Sequence, residues 1–275
     1  MFKYERETVM RLVEDCGYIA TSFRTLTPCR AHRPLSVDDA VAAAVTADVP
    51  CVVAGGSDLP AKFNAGFTPT DLIDVSGIGE LKVVEQDAVG LVIGACVTHY
   101  EGAAHPLVRD YAPGFAAAWR KIANVRIRFS ATIGGNLMAR CTRYEGAILL
   151  SALGARARLQ GPSGAFEIPV EDVGTADLAK GSLLTAVVLP PRRRLRFDYE
   201  RSMRPIMTQA VAVDADGFGR VVTATEFVPP TVRNLDGMRP PHEPIDLNDP
   251  VASSNYLRRV SDVFLSRQLA RIAAP

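Results

Sequence analysis

The chain has 275 residues, of which 48% are hydrophobic and 22% are charged, and this length predicts about two domains with a buried core. Its 31 basic and 30 acidic side chains leave a net charge of +1, so no global field favours nucleic acid or an anionic membrane. No apolar run approaches the roughly 18 residues of a membrane span, and the amino terminus lacks the apolar stretch of a signal peptide, so we expect a cytoplasmic protein.

The cysteines and histidines are few and scattered. The five cysteines contain no CxxC pair, and the four histidines form neither an HxH nor an HExxH pattern. A disulfide framework, a zinc site or an iron–sulfur site made by this chain alone is therefore not expected. We expect no metal ligands here, and redox chemistry would need an organic cofactor or a partner protein.

In chain order, the pattern first predicts a short amphipathic helix at residues 8–16. An Ala/Val helix follows, for which Ser36 is a suitable N-cap. Short buried strands are then predicted at residues 51–54, 72–75 and, as a pair, within 81–98. Helices and strands therefore alternate in this part of the chain.

The next elements are a helix at about 114–123, an irregular stretch that holds Gly134 and Gly135, and a helix ending near Leu153. A hairpin at 156–170 and a strand at 183–189 precede the pair Pro190 and Pro191, where we place a domain boundary. Beyond it we predict an antiparallel meander and a final helix. The meander strands are 197–202, 208–213 and 220–227, and the helix is about 252–272. The order predicts an α+β protein of two unequal parts.

Two glycine-rich segments carry the functional signal. The first glycine segment is residues 53–59, and the second glycine segment is residues 131–137. Paired glycines let successive backbone N–H groups turn inward at conformations that a Cβ would forbid, which makes an anion site. Neither segment has the GxGxxG or Walker spacing. Either one alone is most simply a tight turn, but the two together could hold one elongated dinucleotide from both sides.

The sequence resembles the FAD-binding subunits of molybdenum hydroxylases, such as the carbon monoxide and xanthine dehydrogenases. The segments that carry the resemblance are AGGSDL at 54–59, LIDV at 72–75, GACVTH at 94–99 and ATIGGNL at 131–137. The resemblance covers about residues 30–275. It implies the FAD-binding fold of the vanillyl-alcohol-oxidase/PCMH type, with two α/β subdomains, followed by a small antiparallel-sheet-plus-helix domain.

The resemblance also implies a division of the chain and a cofactor site. Residues 1–29 would be an extension, 30–190 the PCMH-type FAD-binding domain, and 191–275 a domain resembling the carboxy-terminal domain of CO dehydrogenase flavoproteins. FAD would be held by both glycine segments, with Thr98 near the flavin, Glu145 in place of a family Asp, and Leu184 packed on the cofactor. The expected site residues are Val52, Val53, Ala54, Gly55, Gly56, Ser57, Asp58, Leu59, Thr98, Ala131, Thr132, Ile133, Gly134, Gly135, Asn136, Glu145 and Leu184.

The function that this resemblance implies is an oxidoreductase subunit that carries electrons and needs no catalytic side chain of its own. Its partners would be a molybdopterin-binding large subunit and a small subunit with two [2Fe–2S] clusters. Its electron acceptor would be NAD, a quinone or O₂. Two alternatives stay open: a scaffold subunit with weakened FAD binding, and a stand-alone flavin oxidase or reductase.

Several residues depart from the family pattern and motivate the scaffold alternative. The run 141–145 replaces an Asp-Pro-x-x-Asp run, Phe129 replaces an Asn, and Asn64 replaces a Lys. Other candidates have plainer interpretations. His99 and His105 are expected at the surface. Cys51 and Cys96 are expected in the core. The arginines of 192–196 are expected in a solvated linker.

Overall fold

The computed structural model of the chain describes residues 28–202, 206–236, 238–241, 245 and 247–274. The helix predicted at residues 8–16 lies outside these ranges. In the described part, three sheets are present: a parallel sheet of three strands, an antiparallel sheet of five, and an antiparallel sheet of four. The parallel sheet and the five-stranded sheet flank the cavity described below. The four-stranded sheet is formed by the carboxy-terminal part of the chain.

The parallel sheet has the strand order β1-β3-β2 and is covered by helix α1. The helix begins after Ser36, whose side chain accepts a hydrogen bond from the backbone N–H of Asp39, so the predicted N-cap is confirmed. Its buried face packs on a small core that includes Ile73 and Val75. The bounds are β1 Arg30–His32, α1 Val37–Thr46, β2 Pro50–Val53, α2 Leu59–Asn64 and β3 Asp71–Asp74.

The five-stranded sheet has the order β4-β5-β8-β6-β7 and forms the floor of the second subdomain. The predicted hairpin and the strand at 183–189 are both confirmed. A 3₁₀ turn at Gly79–Lys82 precedes this sheet. The strands are β4 Val84–Gln86, β5 Leu91–Gly94, β6 Arg156–Gly161, β7 Gly164–Pro169 and β8 Leu183–Leu189.

Six short helices lie between β5 and β6, and here the sequence prediction was partly wrong. The stretch expected to be irregular contains two helices, because Asn124 and Thr132 each cap one with a side-chain oxygen. The helix predicted at 114–123 ends at Trp119. The helices are α3 His99–Ala104, α4 Pro106–Tyr111, α5 Pro113–Trp119, α6 Val125–Ser130, α7 Ile133–Met138 and α8 Gly146–Ala152.

The carboxy-terminal part is an antiparallel sheet of order β12-β11-β10-β9 with one long helix packed on it. The predicted meander and final helix are confirmed, and strand β12 was not predicted. Gln209 of the sheet bonds Gln268 of the helix at 2.9 Å inside this interface. The elements are β9 Arg196–Arg201, β10 Met207–Val213, β11 Gly219–Thr225, β12 Thr231–Asn234 and α9 Ser254–Ala273.

The hydrophobic core is continuous across the proline pair at 190–191. The main cluster joins Trp119 and Leu153 of the helical region with Phe197 and Ala210 of the carboxy-terminal sheet. The interpretation of the arginine run as a solvated linker was wrong for Arg192, whose guanidinium bonds Asp214 and lies 3.6 Å over the Phe218 ring. The domain boundary predicted at Pro190 and Pro191 therefore lies where the two parts of the chain pack against each other.

None of the helices in the part of the chain that the structure describes is long and apolar enough to cross a membrane.

Candidate functional site

A cavity of about 500 Å³ lies between the parallel sheet and the five-stranded sheet. The first glycine segment, which follows β2, forms one wall. The second glycine segment, with Met138, Ala139 and residues 143–145, forms much of the other wall. The volume falls in the usual range of about 300–1,000 Å³ for cofactor pockets. Two segments that are about 80 residues apart in sequence therefore line one cavity, and their hold on a dinucleotide stays a prediction.

The first glycine segment is shaped by two different requirements for glycine. Gly56 has φ +66°, a left-handed conformation that side chains rarely adopt. Gly55 lies so close to the second wall that an added Cβ would stand 1.7 Å from the Ser130 carbonyl oxygen. The backbones of the two walls are therefore in contact at Gly55, and no larger residue fits there.

The second glycine segment is not the inward-turning loop that the sequence predicted. Gly134 and Gly135 lie in helix α7, and glycine at 134 is required by packing, because an added Cβ would stand 2.7 Å from the Ala95 Cβ. The helix therefore packs directly on the end of strand β5. Thr132 caps it by accepting a hydrogen bond of 3.1 Å from the Gly135 N–H.

The cavity wall includes every expected site residue except Thr98 and Ile133. The Thr98 hydroxyl is used at the start of α3, where it forms a capping box with Glu101. Ile133 is buried in the main core. Other residues of the wall were not predicted: Lys62, Val75, Leu81, Ala95, Cys96, His99, Ile122, Ala123, Ile127, Met138, Ala139, Arg143, Tyr144, Ser182, Leu183 and Arg201.

Asp58 of the first segment is tied to two donors. The Tyr144 hydroxyl donates to its carboxylate at 2.5 Å, and the Lys62 ammonium lies 3.4 Å from it. Burial and the bond to Asp58 raise the pKa of Tyr144 to about 12, so the hydroxyl keeps its proton at neutral pH. These contacts offset a negative charge that would otherwise repel an anionic ligand in the cavity.

Glu145 lines the cavity directly before helix α8 and is almost fully buried. Its carboxylate accepts hydrogen bonds from the Tyr199 hydroxyl and, at 3.0 Å, from the Arg201 guanidinium. Burial and the neighbouring carboxylate raise the pKa of Tyr199 far above its ordinary value. The expected contact of Glu145 with the cofactor stays a prediction, and the structure shows that this carboxylate joins the cavity wall to strand β9.

His99 is not the surface residue that the sequence suggested, since only 1% of it is exposed. Its Nδ1 accepts a hydrogen bond of 2.8 Å from the Trp119 indole N–H. Burial, with Arg128 nearby, lowers the pKa of His99 to about 4, so the ring is neutral at pH 7. The Cys96 thiol is also buried in the wall, as predicted, and burial raises its pKa to about 11.

The donors and acceptors of the wall fit the expected FAD. The first glycine segment and Thr132 bring backbone and hydroxyl groups to the cavity, whereas the Asn136 Oδ1 and His99 Nε2 atoms are buried away from it and have no partner among the described residues. Lys62, Arg143 and Arg201 contribute positive charge. Within the described ranges, no group of three or more His, Cys, Asp or Glu side chains could hold a metal ion.

The fold and the cavity define a flavoprotein of the PCMH type, with a cofactor cavity between two α/β subdomains and a small carboxy-terminal domain. The family model described as "FAD binding domain in molybdopterin dehydrogenase" matches residues 23–192. The chain belongs to this family, and its cofactor is FAD.

Curated relatives agree with this assignment. The carbon monoxide dehydrogenase medium chain of Afipia carboxidovorans is 30% identical over 191 residues, which cover 67% of this chain and 66% of the relative. The nicotine 6-hydroxylase medium subunit of Paenarthrobacter nicotinovorans is 29% identical over 172 residues, or 61% of each chain. The match thus spans less than two thirds of these relatives.

Solved structures confirm the fold class. A reconstituted CO dehydrogenase from Oligotropha carboxidovorans superposes with a TM-score of 0.78 at 22% identity, covering 90% of this chain and 98% of that one. Quinoline 2-oxidoreductase from Pseudomonas putida 86 gives a TM-score of 0.73 at 19% identity with the same coverage. At these identities the likeness supports the fold rather than a particular reaction.

Proposed function

We propose that this chain is the FAD-carrying electron-transfer subunit of a molybdopterin-dependent hydroxylase or dehydrogenase complex. The observation that carries the proposal is the cavity between the two glycine segments, where Gly55 of the first touches the backbone of Ser130, the residue directly before the second. The medium chains and medium subunits among the relatives support the assignment to a multi-subunit oxidoreductase.

In this proposal the chain acts by binding and orienting its cofactor. Bound FAD supplies the redox chemistry, which includes both one-electron and two-electron transfer. The backbone of the first glycine segment and the Thr132 cap lie on either side of the cavity and would hold the diphosphate. Leu183 and Leu184 give the wall an apolar surface that excludes water.

The partners and the acceptor are further parts of the proposal. The electron donor would be a small subunit with [2Fe–2S] clusters, which is reduced by a molybdopterin-binding large subunit that oxidises the substrate. The acceptor would be NAD, and the complex would be cytoplasmic. The relatives' names support a subunit role, and the acceptor and location rest on the family resemblance alone.

The scaffold alternative is not favoured by the positions of the residues that motivated it. Asn64 does not line the cavity, and Phe129 is exposed and stacks on Tyr100 with ring centroids 4.2 Å apart. Arg143 and Tyr144 do line it, but Tyr144 joins the two walls through Asp58. These departures therefore leave the space between the glycine segments open.

The test is the absorption spectrum and the composition of the complex purified from native cells. We expect a flavin spectrum with FAD released on denaturation, molybdenum and iron in the complex, and two further subunits. Mixing the isolated chain with NADH tests the acceptor, because an NAD-linked subunit is reduced by NADH in the reverse direction. A colourless chain that takes up no added FAD would overturn the proposal, and flavin that NADH does not reduce would remove NAD as acceptor.

A further inference from the structure

An exposed apolar cluster lies on helices α3 and α6. Tyr100 of α3 stacks on Phe129 of α6, with ring centroids 4.2 Å apart. Val125 precedes Phe129 by four residues and therefore lies on the same face of α6. Tyr100 is 49% exposed, Val125 55% and Phe129 57%. Single exposed apolar side chains are ordinary, but a cluster of large ones indicates an interaction surface.

The chain around this cluster is strongly basic. Residues 111–144 contain no Asp or Glu, although the net charge of the whole chain is only +1. Their basic residues are Arg120, Lys121, Arg126, Arg128, Arg140 and Arg143. The acid of helix α3, Glu101, is engaged by the backbone N–H and the hydroxyl of Thr98. The positive charge is therefore not offset within its own segment.

Three exposed cations lie close to the apolar cluster. Arg120 and Lys121 precede α6 in a turn, and Arg126 lies in the first turn of the helix. Arg128 holds the turn against α6, because it donates to the backbone carbonyls of 122–123 at 3.0 and 2.8 Å. None of the three cations forms an ion pair within the part of the chain that the structure describes. The three cations and the apolar cluster together are called the α6 surface: Tyr100, Arg120, Lys121, Val125, Arg126 and Phe129.

The α6 surface lies close to the cofactor cavity. Ile127 of α6 lines the cavity, whereas Val125 and Phe129 do not. Each of these two residues is two positions from Ile127 and therefore lies on the opposite side of the helix, since successive residues are about 100° apart. A helix with its side chains is about 10–12 Å across. A protein docked on the α6 surface is therefore about one helix diameter from the cavity, and a short separation favours electron transfer.

We propose that the α6 surface docks an acidic face of the protein subunit that delivers electrons to FAD. This inference deepens the proposed function and rests on it. The aromatic side chains of Tyr100 and Phe129 are the apolar anchors, a residue type that is enriched at the centres of protein interfaces. The unpaired cations beside them select a negatively charged partner and speed its approach. The proximity of the cavity favours an electron carrier over other acidic proteins.

Chemical labelling of the native complex tests the contact directly. The chain has five lysines, and Lys121 is the one on the α6 surface. We expect an acylating reagent to modify Lys121 in the isolated chain and to leave it largely unmodified in the complex. A carbodiimide, which joins an amine to a carboxylate in direct contact, should couple Lys121 to an Asp or Glu of another subunit. Equal acylation in the chain and the complex, or coupling to a second copy of this chain, overturns the inference alone.

Binding of the chain to the other subunits, purified from cells that lack it, tests the two parts of the α6 surface separately. Arg126→Glu places a carboxylate in the first turn of α6, which the helix dipole favours, so the variant should fold. We expect association to be about 5-fold slower at low salt, with a smaller difference at high salt. Phe129→Ala should weaken binding about 10-fold, as for the loss of one aromatic anchor.

The matched controls are Arg259→Glu on α9 and Phe166→Ala on β7, which change exposed residues outside the α6 surface. Both controls should bind the other subunits as the wild type does. If the α6 variants hold FAD and bind as fast and as tightly as these controls, the inference is wrong and the proposed function stands. A wild-type chain that holds no FAD, or that binds no other subunit, overturns the proposed function as well.

Discussion

The Tyr144 hydroxyl donates a 2.5 Å hydrogen bond to the Asp58 carboxylate, and this bond joins the two walls of the cavity. The walls also touch through the backbones of Gly55 and Ser130. The first glycine segment is therefore fixed to the opposite wall at two places, one of backbone and one of side chains. Only the side-chain contact can open without moving the backbone, so it is the one that substitution can test selectively.

We expect Tyr144→Phe to weaken FAD binding about fivefold, mainly through faster release. The ring keeps its packing, but Asp58 loses one donor and faces the cavity with less of its charge offset, a cost of about 1 kcal/mol. The rate of flavin release after dilution, followed by fluorescence, measures the effect. Tyr100→Phe is the matched control, since Tyr100 is half exposed and stacks on Phe129 outside the cavity. Equal release rates for Tyr144→Phe and Tyr100→Phe would contradict the role of the Asp58 contact.

Gly55→Ala should destabilise the protein by about 3 kcal/mol or more and abolish FAD uptake. An added Cβ would meet the Ser130 carbonyl, and a backbone atom cannot rotate away as a side chain can. Chemical unfolding and the flavin content of the purified chain measure the two effects. Gly77→Ala is the control, because nothing lies within 4 Å of a Cβ there, and its free energy of unfolding should stay within about 0.5 kcal/mol of wild type. A stable Gly55→Ala protein with normal flavin content would show that the walls can separate.

Glu145 and Tyr199 should behave as a coupled pair in a double-mutant cycle. The bond between their side chains is buried and joins the cavity wall to the carboxy-terminal sheet. We expect Glu145→Gln and Tyr199→Phe to show a coupling energy of about 1–2 kcal/mol in the free energy of unfolding. The partly exposed pair Arg156 and Glu167 on the hairpin is the comparison, with a coupling below about 0.5 kcal/mol. Additive effects at Glu145 and Tyr199 would mean that this bond does not hold the two parts together.

The sequence allowed the regular elements with strong local signals to be predicted. The helix after Ser36 has its cap and apolar face within ten residues, and the strand at 183–189 is a continuous apolar run. The helices around Gly134 could not be predicted in this way. They are only six or seven residues long and glycine lowers helix propensity, so the caps Asn124 and Thr132 are weak signals in the sequence, and the packing of Gly134 on Ala95 is a tertiary contact.

At the candidate site, too, local sequence signals were predictable and contacts between distant residues were not. The glycine segments were found because their residues are contiguous. Tyr144 and His99 were missed or misread because their roles depend on Asp58 and Trp119, which are 86 and 20 residues away. A polar residue in a short helix is usually exposed, and only its partner in space shows that His99 is buried.

The buried neutral His99 should make the protein less stable in mild acid. Its pKa is lowered from 6.5 to about 4 in the folded chain, so between these values the unfolded chain binds more protons. The free energy of unfolding therefore falls as pH falls through this window, by up to about 3 kcal/mol from this residue. Urea unfolding at about pH 7 and about pH 5 measures the fall, and the double variant Trp119→Phe with His99→Leu should show a smaller fall than Trp119→Phe alone. Because all other titrating groups are common to both variants, an equal fall would mean that His99 is protonated in the folded chain at the lower pH.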